Sequence, residues 1–444
     1  MSTGLNYYKY DGEKNKFNKI EQTKDSLSRI ENQSIWTKRV NCEHSIVVNS
    51  FQDEIYLVGN EMLNEGVLPT SLLSRPVQDK AETPSHASFI LAPSYKCNMS
   101  CVYCYQQSDK TLSKTQITME KYEAFKKFFL DNKGDFETYD LQLFGGEPLL
   151  IENKDIVLDM FKLAKEHHTK LSFTTNGLTL PEYMKTLIVY RKFVGVVATT
   201  IDGLTDSHLE RRFSTIQDVN SQLKMKETIK ILLDVGIEIL VSINIDKKNI
   251  MELEGVIREL QAEGFFDYKN FKFDVGRVDD RLFETGYPEI LDEVEIVKAL
   301  NQIDDLPKNV KAAFIKSGYN LLKKVGLDYG QNENRGKHQY CWSVNSKDKV
   351  FYVDNDLDVF RCTYTVGRKD FKIGKVGETI DDHEWFKHGG YQYDACLKCE
   401  IGGYCSGGCR LSYLTDKERQ CEWEKASFNK LMSQVILPNL NLEL

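Results

Sequence analysis

Among its 444 residues the chain holds only nine prolines, no low-complexity tract and no surplus of positive charge. No window approaches the roughly 20 consecutive apolar residues of a membrane-spanning helix, which excludes one. The opening "MSTGLNYYKYDGEK" lacks the apolar core of a secretion signal, so a cytoplasmic location is expected. With 58 Lys and Arg against 66 Asp and Glu, the net charge is −8, and no partner with a phosphate backbone is expected. What remains is 41% hydrophobic, the mark of an acidic globular protein able to bury a sizeable core. Its length suffices for about three domains.

Cysteine is what the sequence has in excess. Eleven are present, and clustered thiols in a reducing compartment point to metal, because disulfides do not persist there. Cys97, Cys101 and Cys104 form one group, within "YKCNMSCVYCYQ" at 95–106. Cys341, Cys362, Cys396, Cys399, Cys405, Cys409 and Cys421 form a second. Cys42 stands alone and is expected to be a small buried hydrophobe. Four thiolates close a structural zinc site or an electron-transfer cluster, whereas three on a 4Fe-4S cube leave one iron open to a ligand. The second group, with "CLKCEIGGYCSGGC" at 396–409, has ligands for two metal sites, one of them short of a cysteine. Zinc is the alternative metal there.

From residue 89 apolar runs of strand length alternate with helical patterns. The runs are "ASFILAP", "YDLQLFGG", "KLSFTTNG", "FVGVVATTIDG", "IEILVSINID" and "NFKFDVG". Six such units predict a parallel sheet, open or curled into a partial barrel. Chemistry in these sheets gathers at the carboxyl ends of strands, and the first cysteines, "GGEP", "TTNG" and "TIDG" all fall just after those ends. Before this block, "YYKYDGEKNKF" with its Asp-Gly turn, "HSIVVN" and "EIYLVG" read as strands and "EMLNEGVL" as a helix. They predict a small front domain joined by the proline-bearing connector "SRPVQDKAETPSH". The stretch "VKAAFIKSGYNLLKKVG" is predicted helical and leads through a polar loop to the second cysteine group. His167 and His168 read as solvated neighbours on a helix face. The expected domains are residues 1–85, 86–300 and 301–444.

The CxxxCxxC spacing, with the aromatic Tyr103 just before its last cysteine, and "FGGEP" after the second strand resemble the radical S-adenosylmethionine superfamily. That resemblance implies an α/β fold, a partial (β/α)6 TIM-like barrel flanked by a small N-terminal α+β domain and a C-terminal iron-sulfur domain. It implies S-adenosylmethionine (SAM) as cofactor and a 4Fe-4S cluster on Cys97, Cys101 and Cys104. Tyr103, Gly145, Gly146, Glu147 and Pro148 would then lie at the cofactor, the Gly-Gly-Glu segment at its amino group. "TIDG" is similar to the SxDG segment of peptide-modifying relatives, with Thr200 in place of the serine, and Arg212 stands four residues after His208 as an arginine does there. Thr175 and Asn176 of "TTNG" are further cofactor candidates.

The second cysteine group resembles the SPASM extension of this superfamily, which implies two auxiliary 4Fe-4S clusters. Cys341, Cys362 and Cys409 would hold the first and Cys396, Cys399, Cys405 and Cys421 the second. Two departures stand out. No further cysteine lies between Cys341 and Cys362 where the sulfatase-maturing branch has one, leaving an open iron or a non-cysteine ligand. Leu357 stands where the pattern has glycine, so the turn in "VDNDLDVFRC" is expected to run through Asn355 and Asp356. The resemblance spans about residues 88–276 and 340–425.

The implied chemistry is reductive cleavage of SAM to methionine and a 5′-deoxyadenosyl radical, which removes hydrogen from an unactivated carbon while the protein positions the substrate and excludes water. Joining that carbon to a thiolate or another carbon releases an electron, for which auxiliary clusters are acceptors. The expectation is therefore a maturase that forms a thioether or carbon-carbon cross-link in a ribosomally made precursor peptide. An external flavodoxin- or ferredoxin-type donor would supply electrons, and the front domain would hold a leader peptide as an added strand, like a leader-recognition element. The alternative is formylglycine formation on a sulfatase, which needs a carboxylate base near the sixth strand. Asp274 and Asp279 in "FKFDVGRVDDR" are its candidates. A non-catalytic iron-sulfur binding or sensing protein would have no need of "GGEP".

Overall fold

The structure is a computed structural model and describes residues 7–20, 27–30, 35–73, 85–109, 112, 114–216, 218–280, 286–312, 319–329, 348–381, 394–405 and 407–442. Cys341 and most of the connector at 74–86 lie outside these residues.

The front of the chain supplies β1 (Tyr7–Asp11), β2 (Lys16–Lys19), β3 (Leu27–Arg29), β4 (Ile35–Arg39), β5 (His44–Asn49), β6 (Glu54–Gly59) and β7 (Val67–Pro69). Antiparallel pairing in the order β2-β1-β6-β5-β4 makes a five-stranded sheet, and β3 pairs with β7 beside it. The first hairpin turns at the Asp-Gly step that predicts it. Strands β5 and β6 read as unbroken apolar runs because both faces are covered. Val47, Tyr56 and Val58 join Met62, Leu68 and Leu72 in a small core. Ile46, Val48, Ile55 and Leu57 belong to the main core, which also holds Phe428 and Leu431 near the chain's end.

Next come β8 (His86–Leu91), β9 (Ser100–Cys101), β10 (Thr138–Leu143), β11 (Leu171–Thr174), β12 (Val194–Thr200), β13 (Arg212–Phe213), β14 (Glu238–Ile245), β15 (Phe271–Arg277), β16 (Val310–Ala312), β17 (Asp348–Val353), β18 (Asp358–Phe360) and β19 (Gly374–Lys375). Ten of them form one sheet in the order β16-β15-β14-β12-β11-β10-β8-β17-β18-β19, while β9 and β13 pair with each other. The six expected parallel strands are its centre. Helices such as Met119–Asn132, Lys154–Glu166 and Val219–Asp234 connect them, started by Thr118 and by the Asp218 capping box. On β14, Ile239, Val241, Ile243 and Ile245 are fully buried in the core, while Leu240, Ser242 and Asn244 face the opposite side.

Two sequence expectations change and a third holds. Residues 310–312, read as helix, form β16, because Val310 and Ala312 are buried at the sheet edge beside β15; Tyr319–Lys324 is helix, and residues 313–318 of the predicted stretch lie outside the described residues. Cys42 is exposed at the β4–β5 turn, where Asn41 Oδ1 takes the amides of Glu43 and His44. The β17–β18 turn runs through Asn355 and Asp356 as expected, closed by the Leu357 amide on the Asp354 carbonyl at 3.0 Å, and Leu357 after it lies in the left-handed region, φ +65°. That is the conformation for which glycine is the usual choice.

Candidate active site

The sheet's carboxyl ends and the first cysteine loop make one site. Strand β9 carries Cys101 and pairs with β13 so that Cys101 faces Arg212 and Ser100 faces Phe213. The amide of Met99 donates to Cys97 Sγ at 3.4 Å, and Cys104 lies near enough to Cys97 and Cys101 to raise their resistance to ionisation. Burial is the larger cause and pushes Cys101 up to about 11, against the pull of the Arg212 charge.

The "GGEP" turn is pressed against this loop. The amides of Gly146 and Glu147 donate to the carbonyls of Ser94 and Lys96, both at 3.0 Å. A Cβ on Gly146 would lie 2.3 Å from the Lys96 carbonyl oxygen, so only glycine fits. Glu147 is buried, and its carboxylate accepts from the Leu149 amide (2.8 Å), Thr175 Oγ1 (2.8 Å) and the Asn176 amide (2.6 Å). Burial raises its pKa, opposed by these three bonds. The glutamate thus ties the end of β10 to the end of β11. Among the described residues no amide donates to the carbonyl oxygens of Gly145 or Gly146. Those oxygens are what this turn offers an ammonium group.

A second buried network sits behind Tyr103. Its hydroxyl donates to Asp202 Oδ2 and accepts from Arg212 Nη1 (2.8 Å) and Asn244 Nδ2 (3.1 Å). Asp202 Oδ1 takes the Asn244 amide at 2.8 Å, and Arg212 Nη1 lies 3.6 Å from Asp202. Burial works against the Arg212 charge, but Tyr103, Cys101 and Asp202 outweigh it and hold the guanidinium charged. His208 accepts the Asp202 amide through Nδ1 (3.1 Å), which puts its remaining proton on Nε2. Burial first, then Arg212, keeps the ring neutral by pushing its pKa down to about 3. Arg211 pairs with Asp246 at 2.7 Å. Arg211, Asn244 and Asp246 went unread in the sequence, and Asp202 and His208 entered only through "TIDG" and the spacing to Arg212, with no role of their own.

Thr200, Ser242 and Asp274 are register partners on the face away from the helices. Asp274 is buried with no hydrogen-bond partner on Oδ1, and burial pushes its carboxyl up to about 7 despite Lys272. Asp279 instead lies 3.2 Å from Arg277. His168 is exposed and His167 rests edge-on against Phe129.

The second cysteine group divides. Burial pushes the Cys405 thiol up and Cys396, Cys399 and Cys421 add to it, so these four are neighbours. Cys409 caps the helix Arg410–Thr415. Cys362 lies elsewhere, beside the first loop. Tyr105 donates from its hydroxyl to the Thr363 carbonyl (3.1 Å) and stacks on Tyr364 at 4.5 Å.

Among the described residues no three His, Cys, Asp or Glu side chains close on a single-ion site. The fit is therefore one of donor type. Cys97, Cys101 and Cys104, soft donors joined by one short loop beside the free Gly145 and Gly146 carbonyls, suit a 4Fe-4S cluster with an amino-acid ligand. The quartet suits a fully cysteine-ligated cluster.

Residues 91–260 match the Radical SAM superfamily. The chain is 25% identical over 348 residues to the cysteine-type anaerobic sulfatase-maturating enzyme of Clostridium perfringens, covering 73% of this chain and 88% of that one. It is 28% identical over 210 residues to the antilisterial bacteriocin subtilosin biosynthesis protein AlbA of Bacillus subtilis, 46% of this chain and 42% of that one. Streptococcus suis SuiB, solved bound to its precursor peptide SuiA, shares the fold with a TM-score of 0.55 at 14% identity, over 88% of this chain and 98% of that one. No described helix is long and apolar enough to cross a membrane.

Proposed function

We propose that this chain, a radical SAM enzyme through its domain at residues 91–260, is a SPASM-type maturase that cross-links a ribosomally made precursor peptide through a thioether or carbon-carbon bond. The observation that carries the reading is the pair of separate thiol groupings in one folded chain, the trio on the 97–104 loop and the quartet at 396–421. An oxidative coupling needs both a radical source and a place for the released electron, and one grouping alone would supply only the first. The names of AlbA, a bacteriocin biosynthesis protein, and of SuiB with its precursor peptide support a peptide substrate.

When bound, SAM and its cluster supply a carbon radical that abstracts hydrogen. The chain's own residues do the rest. Gly145 and Gly146 present carbonyls to the cofactor's ammonium, with Pro148, Thr175, Asn176 and Thr200 around it. Tyr103, Asp202 and Arg212 hold the loop in place from behind and keep water out. Cys341, Cys362 and Cys409 form the other auxiliary site, and an external one-electron carrier recharges the system. The domains are 1–85, 86–300 and 301–444, in a cytoplasmic protein. The front domain takes a leader peptide at a sheet edge, where β2 and β4 each have one described neighbour.

The test is anaerobic reconstitution followed by metal analysis and mass spectrometry. About twelve irons per chain are expected, three clusters of four, with SAM converted to 5′-deoxyadenosine under strong reductant. A short Cys-rich or aromatic-rich peptide encoded beside this gene should lose two hydrogens per cross-link. Stoichiometric zinc without iron uptake would overturn the assignment.

Formylglycine formation is the second reading, and Asp274 favours it. A buried carboxyl held near pH 7 on the sheet's inner face is poised to accept a proton. The same incubation with a peptide from a sulfatase decides between them.

A further inference from the structure

Asn98 lies between Cys97 and Met99, and its Nδ2 is buried without a hydrogen-bond partner. A buried donor left unmet is costly, so this one calls for an acceptor.

The orientation of this amide is fixed by a chain of contacts rather than chosen freely. The Leu178 amide donates to Asn176 Oδ1 at 3.0 Å, so the other side of the Asn176 amide must be Nδ2. Asn176 Nδ2 then donates to Asn98 Oδ1 at 2.6 Å and also reaches Cys97 Sγ at 3.7 Å. The Asn176 backbone is itself clamped by Glu147. Ser214 Oγ donates to the Asn98 carbonyl at 2.6 Å, which fixes the main chain. Both atoms that could relieve the orphan by swapping places are therefore committed. Glu147, Asn176 and Asn98 form a relay from the "GGEP" turn through "TTNG" into the cysteine loop, ending in one unused N–H donor next to a cluster ligand.

We propose that Asn98 Nδ2 donates a hydrogen bond to an anionic acceptor held at the three thiols. Two sources carry that chemistry, a sulfide or thiolate sulfur of the cluster and the carboxylate of SAM. The inference rests on the reading of Cys97, Cys101 and Cys104 as the cluster site, and it adds a binding residue that the motifs do not point to. A donor to a cluster sulfur stabilises the reduced, more negative state and raises the reduction potential. A donor to the carboxylate strengthens cofactor binding and leaves the potential of the cofactor-free protein unchanged.

The experiment compares wild type, Asn98→Leu and Asn98→Asp, all with iron counted after anaerobic reconstitution. One arm titrates the first cluster's potential by electron paramagnetic resonance without SAM, and the other measures SAM affinity by equilibrium dialysis. If the acceptor is a sulfur, Asn98→Leu shifts the potential negative and leaves affinity unchanged. If it is the carboxylate, affinity weakens by roughly tenfold, the scale of one hydrogen bond to a charged group. In either case Asn98→Asp, which keeps the Asn176 contact but turns a donor into an anion, has the larger effect in the same direction. Loss of first-cluster iron in Asn98→Asp alone reports the same contact. Unchanged potential and affinity in both variants with full iron would overturn the proposal. Iron lost equally from both would also do so, reducing Asn98 to a loop residue. A wild-type protein that takes up no cluster would instead sink the underlying reading.

Discussion

The two cysteine regions are built differently. The first is a loop that the fold holds by side chains from outside it: Asn176 and Ser214 fasten Asn98, and Asp202, Arg212 and Asn244 fasten Tyr103. In the second, Cys396 and Cys405 lie in helices of four residues each, Asp394–Leu397 and Gly402–Cys405, with Cys399 in the turn between them. Helices far shorter than about 12 residues have no stability of their own. Their outside support is the front sheet. Ser50 Oγ takes the Gly403 amide at 3.1 Å, and a Cβ on Gly403 would lie 2.3 Å from the Ser50 backbone. Trp36 bonds Asn429 at 2.7 Å and meets Phe428 edge-on. The difference teaches that side chains from several strands hold the first loop, whereas the second leans on short helices and the front sheet; on the proposed cluster assignment the second should draw more of its order from bound metal.

The largest test of that contrast exchanges one ligand in each region. Cys101→Ala should abolish SAM cleavage with little change in melting temperature. Cys399→Ala should lower melting by on the order of 10 °C, read by anaerobic calorimetry, while the first cluster still forms and cleaves SAM. Equal melting of the two variants would erase the distinction.

A second experiment breaks the support of the first region. Asp202→Ala strands the Arg212 charge in a buried site and should cost about 3–5 kcal/mol in anaerobic denaturant unfolding. Asp202→Leu with Arg212→Met should recover part of that loss. If Asp202→Ala were neutral, the network would not be what holds the loop.

Asp274 sharpens the same comparison through pH, because its partner on β14, Ser242, is two residues from Asn244, which bonds Tyr103 of the first region. Its folded pKa of about 7 exceeds the ordinary 3.8. The folded protein therefore holds a proton that the unfolded chain releases, and stability is lost as pH rises from about 4 to 7. Asp274→Asn should gain roughly 4 kcal/mol over wild type at pH 8 and nothing at pH 4. A pH-independent difference would mean that Asp274 ionises normally.

The smallest expected effect concerns the β17–β18 turn, before the strand that leads to Cys362. Leu357→Gly relieves a left-handed backbone worth about 1 kcal/mol but removes a partly buried side chain packed against the core. The net change in denaturant unfolding should stay within about 1 kcal/mol. A large loss would show that leucine's packing, and not the turn, governs this position.

The six central strands were legible because a sheet covered on both faces writes apolar runs such as "ILVSINI", and the cysteine loop because metal spacing is local. The flanking strands β16 to β19 were not. The run at 310–312 has three residues, too few to show a period, and β17 joins β8 across about 260 intervening residues, a pairing that no local pattern encodes. The exposure of Cys42 was unreadable for the same reason, since a lone thiol carries no pattern to set its burial.

Sequence alone determined the family resemblance, the order of strands and helices through the central sheet, and which cysteines are close along the chain. Those depend on neighbouring residues and on the chemistry of one short loop. Tertiary structure decided what each polar residue spends its hydrogen bonds on. Glu147 binds Thr175 and Asn176, Arg212 faces Tyr103, and Asn98 keeps a buried donor in hand beside the first cysteine. A side chain's partners come from distant segments, and burial makes each unmet group costly enough that the packed fold, not the local sequence, must assign them.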